Sequence, residues 1–486
     1  MPTKVILLNI DGLRRDPFYS LIDEKKLPNF CGIFSEGIRV ERATSVFPSV
    51  TLTCQASLYT GCYPNRHYLL GNGWFDRYPK EPVYRIYTTL HTALHVFGFR
   101  LFGAPTILLP KRKDEPLANA DLNPQVPTLY ETLTRHHLRS AVVFNHISRG
   151  ATVWRRPSRG DLLQFALCHE DYLEFHHFEK STMRRAVQFI EGTRTLPDLL
   201  MIYFSGVDGF SHRHGANTQA GYLKKYLDPY FGKVVKALHN RREKSDFCFI
   251  LSSDHGQAQV KNDNRYMILE PEFAEMLQRT GRAPFYPKGD IPMKKANTVI
   301  INQGGSMHLY VKNGKANNWH EPPDIENDLV PLAAGIEKIA AAPFKHILPN
   351  WLALTLIKDH KNKRYVVYRN GGTADAGDFF QKNDEKYPDA VARLRGYYSP
   401  KSADILFFCN YDDGFYFSDK LHGGQHGGLH REDSLVPFIV SGGGVKSSSV
   451  PRASIVDVTP TAAAILGLTT QEADGSPLPG TFRRST

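Results

Sequence analysis

Short apolar runs, separated by polar and glycine-containing breaks, set the pattern of this chain. Residues 4–10 alternate little, are rich in β-forming residues, and end at Asp11-Gly12. Such a run predicts a central strand buried on both faces of a parallel sheet. Residues 140–145, 199–205 and 247–252 repeat the pattern and predict further buried strands. Residues 39–47 predict an extended segment ending at Pro48, and 405–408 and 437–441 predict late strands. Helical stretches fall between them. One runs from Thr51 to Tyr59 and is closed by Thr60-Gly61; another covers residues 217–241. A last helix opens at Asp457, its expected N-cap, with Pro460 in the first turn. Strand and helix in alternation predict an α/β fold, a mostly parallel central sheet flanked by helices.

Two stretches interrupt the alternation. Residues 80–125 are aromatic, basic and proline-containing. Residues 260–400 mix β-type pieces at 297–302 and 307–311 with a helical region and a basic patch near Lys358–Arg364. Both are read as cap insertions over the mouth of a site, inside a single domain spanning residues 1–486. Tyr84, Tyr87, Phe97 and Phe99 suit contact with an organic group. The run Tyr87–Pro110 has the makings of an amphipathic membrane contact; a buried cap is the favoured reading.

With 41% hydrophobic and 22% charged residues among 486, the composition is that of a soluble globular protein. No stretch reaches the ~18–20 apolar residues of a spanning helix. A net charge of +11 suits an anionic substrate or surface. The basic residues are dispersed, so no nucleic-acid partner is expected. Six cysteines without a CxxC spacing point to a reducing compartment. The N-terminus lacks a signal-peptide pattern, and a cytoplasmic location is expected.

The chemistry lies at the strand ends. Asp11 follows the first apolar run, Asp208 and His212 follow the third, and Asp254 and His255 follow the fourth. In an α/β fold the carboxyl ends of parallel strands build the site. Asp208 and His212 sit at i and i+4, so one helical turn can aim both at one ion. Asp254 and His255 are adjacent and can share an ion only where the backbone turns, which Gly256 permits. A glycine-rich loop offers His422, His426 and His430 as further ligands. Three carboxylates and three imidazoles suit two divalent cations. Thr51, at the start of its helix, is a candidate nucleophile, with backbone N–H donors beside it for an anion. Thr53 and Ser49 are its local rivals, and capping is its bland alternative role. Together these residues point to metal-assisted hydrolysis of a phosphorus ester.

The chain resembles the alkaline phosphatase superfamily, in its nucleotide pyrophosphatase/phosphodiesterase branch. The resemblance is carried by Asn9-Ile10-Asp11-Gly12-Leu13-Arg14, by Thr51 at the family's interval before Thr60-Gly61-Cys62-Tyr63-Pro64, and by Asp208/His212 and Asp254/His255. It selects His426, with Ser434 behind it, over His422 and His430, and places the family's phosphate-contacting asparagine on Asn72. Asp457 and Pro460 resemble the superfamily's closing helix. These motifs cover about half the chain, roughly residues 1–77, 195–256 and 420–470. One departure stands out: Cys54 occupies the place of a family asparagine three residues after the nucleophile. Cys62-Tyr63-Pro64-Asn65-Arg66 mimics the sulfatase nucleophile motif, but it follows the Thr-Gly rather than preceding it and is read as coincidence.

The resemblance implies a two-metal phosphodiesterase or pyrophosphatase acting on a small phosphorus ester. One ion would be held by Asp208, His212 and His426, the other by Asp11, Asp254 and His255, with Thr51 between them forming a covalent phosphoryl-threonine. Zinc is favoured, with manganese and iron as alternatives. A phosphonate hydrolase or phosphomonoesterase on the same scaffold is the alternative enzyme. A non-catalytic binding protein is disfavoured by the complete ligand set.

Overall fold

A computed structural model describes residues 3–79, 82–86, 117–241, 246–369 and 371–480. The strand Thr3–Ile10 lies at the centre of a nine-stranded sheet, parallel to Leu199–Phe204 on one side and to Asp246–Ser252 on the other. Its side chains alternate between two cores: Val5 and Leu7 enter one, Ile6 and Leu8 the other. Both faces are covered, which is why the run reads as continuously apolar. Each fully buried side chain of this kind contributes about 1.5–3 kcal/mol, so the centre is where such a strand belongs.

Beyond Leu199–Phe204 the sheet continues in parallel through Ser140–Val143 to Val153–Arg155. On the far side Phe438–Gly442 runs antiparallel to Asp246–Ser252 and pairs with Ile38–Thr44. Ser448–Ser454 lies parallel to that last strand, and Leu435–Val436 antiparallel to it. The sheet is therefore parallel at its heart and mixed at one edge. Helices His176–Gly192 and Asp228–His239 cover one face, helices Thr51–Thr60 and Val458–Ile465 the other.

A second, seven-stranded sheet is built wholly from residues between Pro284 and Cys409. Thr298–Asn302, Ser306–Val311, Ile405–Cys409, Leu352–Asp359 and Arg364–Arg369 are antiparallel neighbours in that order. Its own core lies under helices Glu270–Arg279 and Val330–Ala340. Residues 405–409 thus serve this sheet, not the central one; a buried apolar run has the same sequence pattern in either setting.

Three local expectations are redrawn. The stretch 217–241 is not one helix: a 3₁₀ turn, a helical turn Gln219–Tyr222 and a π turn Leu223–Leu227 precede Asp228–His239. Pro229, lacking an N–H, sits in the first turn of that last helix, where none is required. Asp457 precedes its helix, but its carboxylate accepts from Ser454 N and Ser476 N (2.8 and 2.7 Å) instead of capping it. Lys358 is no surface charge: it is buried, its ammonium donating to the carbonyls of Ser399, Pro400 and Ser402. From the stretch 80–125, Val83–Ile86 forms a hairpin with Gly73–Asp76, and Leu117–Asp121 is a short helix. Tyr87, Phe97, Phe99 and the run Tyr87–Pro110 lie outside the described residues. Among the described residues, no helix is long and apolar enough to cross a membrane.

Candidate metal centre and active site

The centre forms where three parallel strands end. Asp11 directly follows Thr3–Ile10, and its N–H still bonds the carbonyl of Phe204 at 2.8 Å. Gly12 then turns the chain with φ +67°, in the left-handed region that favours glycine. A Cβ there would lie 2.9 Å from the Cβ of Asp208. The turn thus brings the backbone beside Asp208, which rides with His212 on the helix Gly206–His214. Asp254 and His255 follow Asp246–Ser252.

Two groups of ligand atoms result. Asp208, His212 and His426 form one, Asp11, Asp208 and His255 the other, with all atoms of each within 4.8 Å of one another. His212 Nε2 and His426 Nε2 lie 3.4 and 3.5 Å from Asp208 Oδ1, and His255 Nε2 lies 3.2 Å from Asp11 Oδ1. Asp208 therefore belongs to both groups, a sharing that the division of ligands into two threes did not contain. Asp254 is in neither group. Its carboxylate accepts from Gly12 N, His255 N and Gln55 Nε2.

All three imidazoles are oriented alike. His212 Nδ1 lies 2.8 Å from the carbonyl of Gly424, His255 Nδ1 2.8 Å from that of Gly256, and His426 Nδ1 2.8 Å from that of Ser49. A carbonyl only accepts, so each Nδ1 carries the proton and each Nε2 faces the carboxylates. This is how proteins fix imidazoles as metal ligands.

The field within the cluster is strongly negative. Burial, then the charges of Asp254 and Asp208, hold Asp11 well above the usual carboxylate range. Burial pushes His255 down, but Asp254 and the bond to Asp11 outweigh it and raise the imidazole to about 10. Buried carboxylates that crowd this closely need positive charge among them. Oxygen and imidazole donors together fit a divalent cation in each group.

Thr51 begins the helix Thr51–Thr60, and its Oγ1 lies 3.2 Å from His255 Nε2. Of its rivals, Thr53 is fully buried, and the Ser49 hydroxyl donates to the carbonyl of Gly428. Asn72 accepts from Leu52 N at 3.3 Å, at the same helix terminus. Cys54 is buried behind it, its thiol against Ser45 Oγ at 3.1 Å, so this departure from the family pattern faces protein. Cys62 is also buried, its thiol on the carbonyl of Glu472. His422 stays beside the centre, its ring 4.7 Å from that of His212, whereas His430 pairs with Asp412.

Sequence reasoning missed two partners of the ligands. Tyr203, in the strand Leu199–Phe204, donates its hydroxyl proton to Asp11 Oδ2, and Gln257 Nε2 donates to Asp208 Oδ1 at 3.3 Å. Tyr203 sits in an unbroken apolar run; the one available signal is that a buried tyrosine hydroxyl requires a partner.

The centre opens into a cavity of about 410 Å³ lined by Asp11, Thr51, Asn72, Asp208, His212 and His426. Phe165, His169, Phe175 and Phe178 make an aromatic wall. Tyr84, Glu270, Asn302 and Gln303 line the cavity from the stretches 80–125 and 260–400. A larger open groove of about 670 Å³ runs past Arg14, Lys386 and Asp412. Its charges pair with one another, Arg14 with Glu432 and Lys386 with Asp412, and of the candidate ligands it holds only the rejected His430.

This sheet, with candidate ligands at its carboxyl strand ends, is an alkaline-phosphatase-like α/β fold, and solved structures share it. Murine ectonucleotide pyrophosphatase/phosphodiesterase 5 superposes with a TM-score of 0.60 at 16% identity, covering 97% of each chain. An inactive variant of that protein in complex with AMP gives 0.59 at 15% identity, covering 98% of this chain and 97% of its own. Residues 5–430 match the type I phosphodiesterase / nucleotide pyrophosphatase family, and the chain belongs to it. Among curated relatives, a bis(5'-adenosyl)-triphosphatase, enpp4, of Xenopus laevis is 24% identical over 65% of this chain and 61% of its own length. An uncharacterized pyrophosphatase/phosphodiesterase of Schizosaccharomyces pombe is 23% identical over 55% of this chain and 47% of its own. The chain thus spans about half to three fifths of these two relatives.

Proposed function

We propose that the protein hydrolyses a phosphodiester or pyrophosphate bond, with Thr51 as nucleophile and two divalent cations, zinc for preference, held by the paired ligand groups. The observation that carries the reading is the common orientation of His212, His255 and His426 around Asp11 and Asp208, with the Thr51 hydroxyl beside them. Such ions, when bound, supply Lewis acidity toward phosphoryl oxygens and favour the alkoxide form of a nearby hydroxyl.

The chain's own residues do the rest. Asp208, His212 and His426 would hold one ion, and Asp11, Asp254 and His255, with Asp208 beside them, would hold the other. Thr51 Oγ1 attacks phosphorus, the bond to the leaving oxygen breaks, and a phosphoryl-threonine forms. Water then attacks that phosphorus, phosphate or a phosphate monoester departs, and the hydroxyl is restored. Asn72 gives its amide oxygen to Leu52 N, leaving its NH₂ to donate to a phosphoryl oxygen. The helix terminus at Thr51 adds a favourable dipole for the anion.

The cavity is far larger than a phosphate group and is walled by aromatic rings, which favours an ester with an organic substituent over inorganic monoester chemistry. Family membership and the AMP complex of the murine relative support a nucleotide-type ester. The test is hydrolysis of bis-p-nitrophenyl phosphate, of p-nitrophenyl phosphate and of phosphonoacetate, before and after chelation and with zinc restored. Zinc-restored turnover of the diester is expected to lead. Preferential cleavage of the monoester or the phosphonate would overturn the choice of substrate, and turnover indifferent to chelation would overturn the metal centre.

A further inference from the structure

We propose that Arg393 is a positioning residue that locks the Thr51 segment and the His426 loop into one geometry. The region 260–400, which gives the centre no candidate ligand, would thereby set the distance between nucleophile and ligand. The inference rests on the function proposed above.

Arg393 lies on the helix Ala390–Tyr397, inside the region 260–400, and is 1% exposed. Its Nη2 donates to Ser49 Oγ at 3.1 Å, to the carbonyl of Val46 at 3.2 Å and to that of Gly428 at 3.4 Å. Its Nη1 donates to Ser434 Oγ at 2.6 Å and to the carbonyl of Leu429 at 3.3 Å. A last contact, 3.4 Å to the carbonyl of Pro388, is local. The other acceptors fall into two groups. Val46 and Ser49 lead directly into Thr51; Gly428, Leu429 and Ser434 directly follow His426.

Ser49 joins the two groups. Its hydroxyl accepts from Arg393 and donates to the carbonyl of Gly428 at 2.7 Å, while its own carbonyl accepts from His426 Nδ1 at 2.8 Å. A shift of Ser49 therefore turns the His426 imidazole and displaces Thr51 together. Buried countercharge reaches the guanidinium through Ser434, whose hydroxyl donates to Asp433 Oδ1 at 3.1 Å. Asp433 Oδ2 accepts from Gly428 N at 2.6 Å and closes the network on the His426 loop.

A buried guanidinium is tolerated only while its acceptors stay in place. The planar fork fixes their directions, which a lysine ammonium at the same position does not. The path from His426 to the nucleophile segment is thus held from outside by one side chain that touches neither substrate space nor candidate ligand.

The test compares wild type with Arg393→Lys, Ser49→Ala, Ser434→Ala and the double variant Ser49→Ala/Ser434→Ala, all as full chains. Three quantities are read: the thermal midpoint, zinc affinity against a competing chelator, and kcat and KM on bis-p-nitrophenyl phosphate. Arg393→Lys is expected to lower kcat about 10–100-fold and to weaken the looser zinc about tenfold, with KM changed less than about threefold. Wild-type kcat and zinc affinity beside a lowered midpoint would overturn the proposal, because that is what a purely structural arginine gives. Should Arg393→Lys not fold, the serine variants decide. Losses in zinc affinity that fail to multiply in the double variant support a shared network, and losses that multiply overturn it. The zinc titration needs no turnover. A wild type that binds zinc but cleaves no phosphodiester would sink the function reading and leave the titration to judge Arg393.

Discussion

The imidazoles of His255 and His426 stack face to face, their centroids 3.8 Å apart and their planes 18° from parallel. Rings this close do not both carry charge. Burial, then the charges of His255 and His212, holds His426 well below the ordinary histidine range, while His255 is raised. The two rings nevertheless belong to different ligand groups, joined by Asp208. Asp208→Asn should therefore cost both ions, and His212→Ala only one. Metal analysis after gel filtration reads the difference; equal losses in the two variants would show that Asp208 is not shared.

Thr51→Ala removes the hydroxyl beside His255 and leaves every imidazole anchor in place. Its kcat should fall more than about a thousandfold while metal content stays near that of wild type. Near-normal turnover would rule out a covalent threonine. Cys62→Ala should leave kcat unchanged, because that thiol is buried on the carbonyl of Glu472. An inactive Cys62 variant would restore the sulfatase reading.

Four of the candidate ligands were legible in the sequence because they mark places where a buried strand has just ended. Asp11, Asp208, Asp254 and His255 all follow apolar runs, and an acidic residue has no business inside such a strand. Thr51 was legible from the helix that it opens and that Gly61 closes. The second sheet was not, because buried antiparallel and parallel strands share one apolar signature, as residues 405–409 show. Arg393 was invisible for a different reason. It stands at i+3 on the face of Ala390, Leu394 and Tyr397, where an apolar residue is expected, and only tertiary contacts show which acceptors a guanidinium buried there meets. Lys358 was read only as part of a basic patch, and its burial too comes from tertiary contacts.

Tyr203 tests whether partners of the ligands tune them. Its hydroxyl donates to Asp11, so Tyr203→Phe removes one bond and almost no volume. Turnover or metal affinity should fall about 10–100-fold, the usual range for a group that orients a ligand. Unchanged kcat and zinc affinity would reduce that hydroxyl to a satisfied core group.

Glu179 gives a stability prediction. It is fully buried and accepts from Gly206 N at 2.9 Å, at the start of the helix that carries Asp208 and His212. Burial raises its carboxyl from the ordinary 4.5 to about 8. Between those values the folded chain keeps a proton that the unfolded chain releases, so this stabilisation is full below the lower value and is lost as pH rises through the upper one. Glu179→Gln cannot ionise and escapes the loss. The thermal midpoint of the variant, relative to wild type, should therefore climb between pH 5 and pH 9. A constant difference over that range would mean that Glu179 stays ionised in the fold.

The two walls of the cavity should separate large substrates from small ones. Phe165 comes from the helix Arg159–His169 beside the central sheet, and Tyr84 from the hairpin strand Val83–Ile86, where its hydroxyl donates to the carbonyl of Ile300. Both line the cavity beyond the ligand cluster. Groups that meet only the remote part of a substrate contribute only where the substrate reaches them. Phe165→Ala and Tyr84→Ala should therefore raise KM for a bulky aryl diester about tenfold more than for a minimal aryl phosphate. Each truncation also removes buried aromatic area, so the thermal midpoint has to be followed in parallel. If both substrates lose activity equally, in step with the midpoint, the walls serve stability and the choice of substrate lies elsewhere in the cavity.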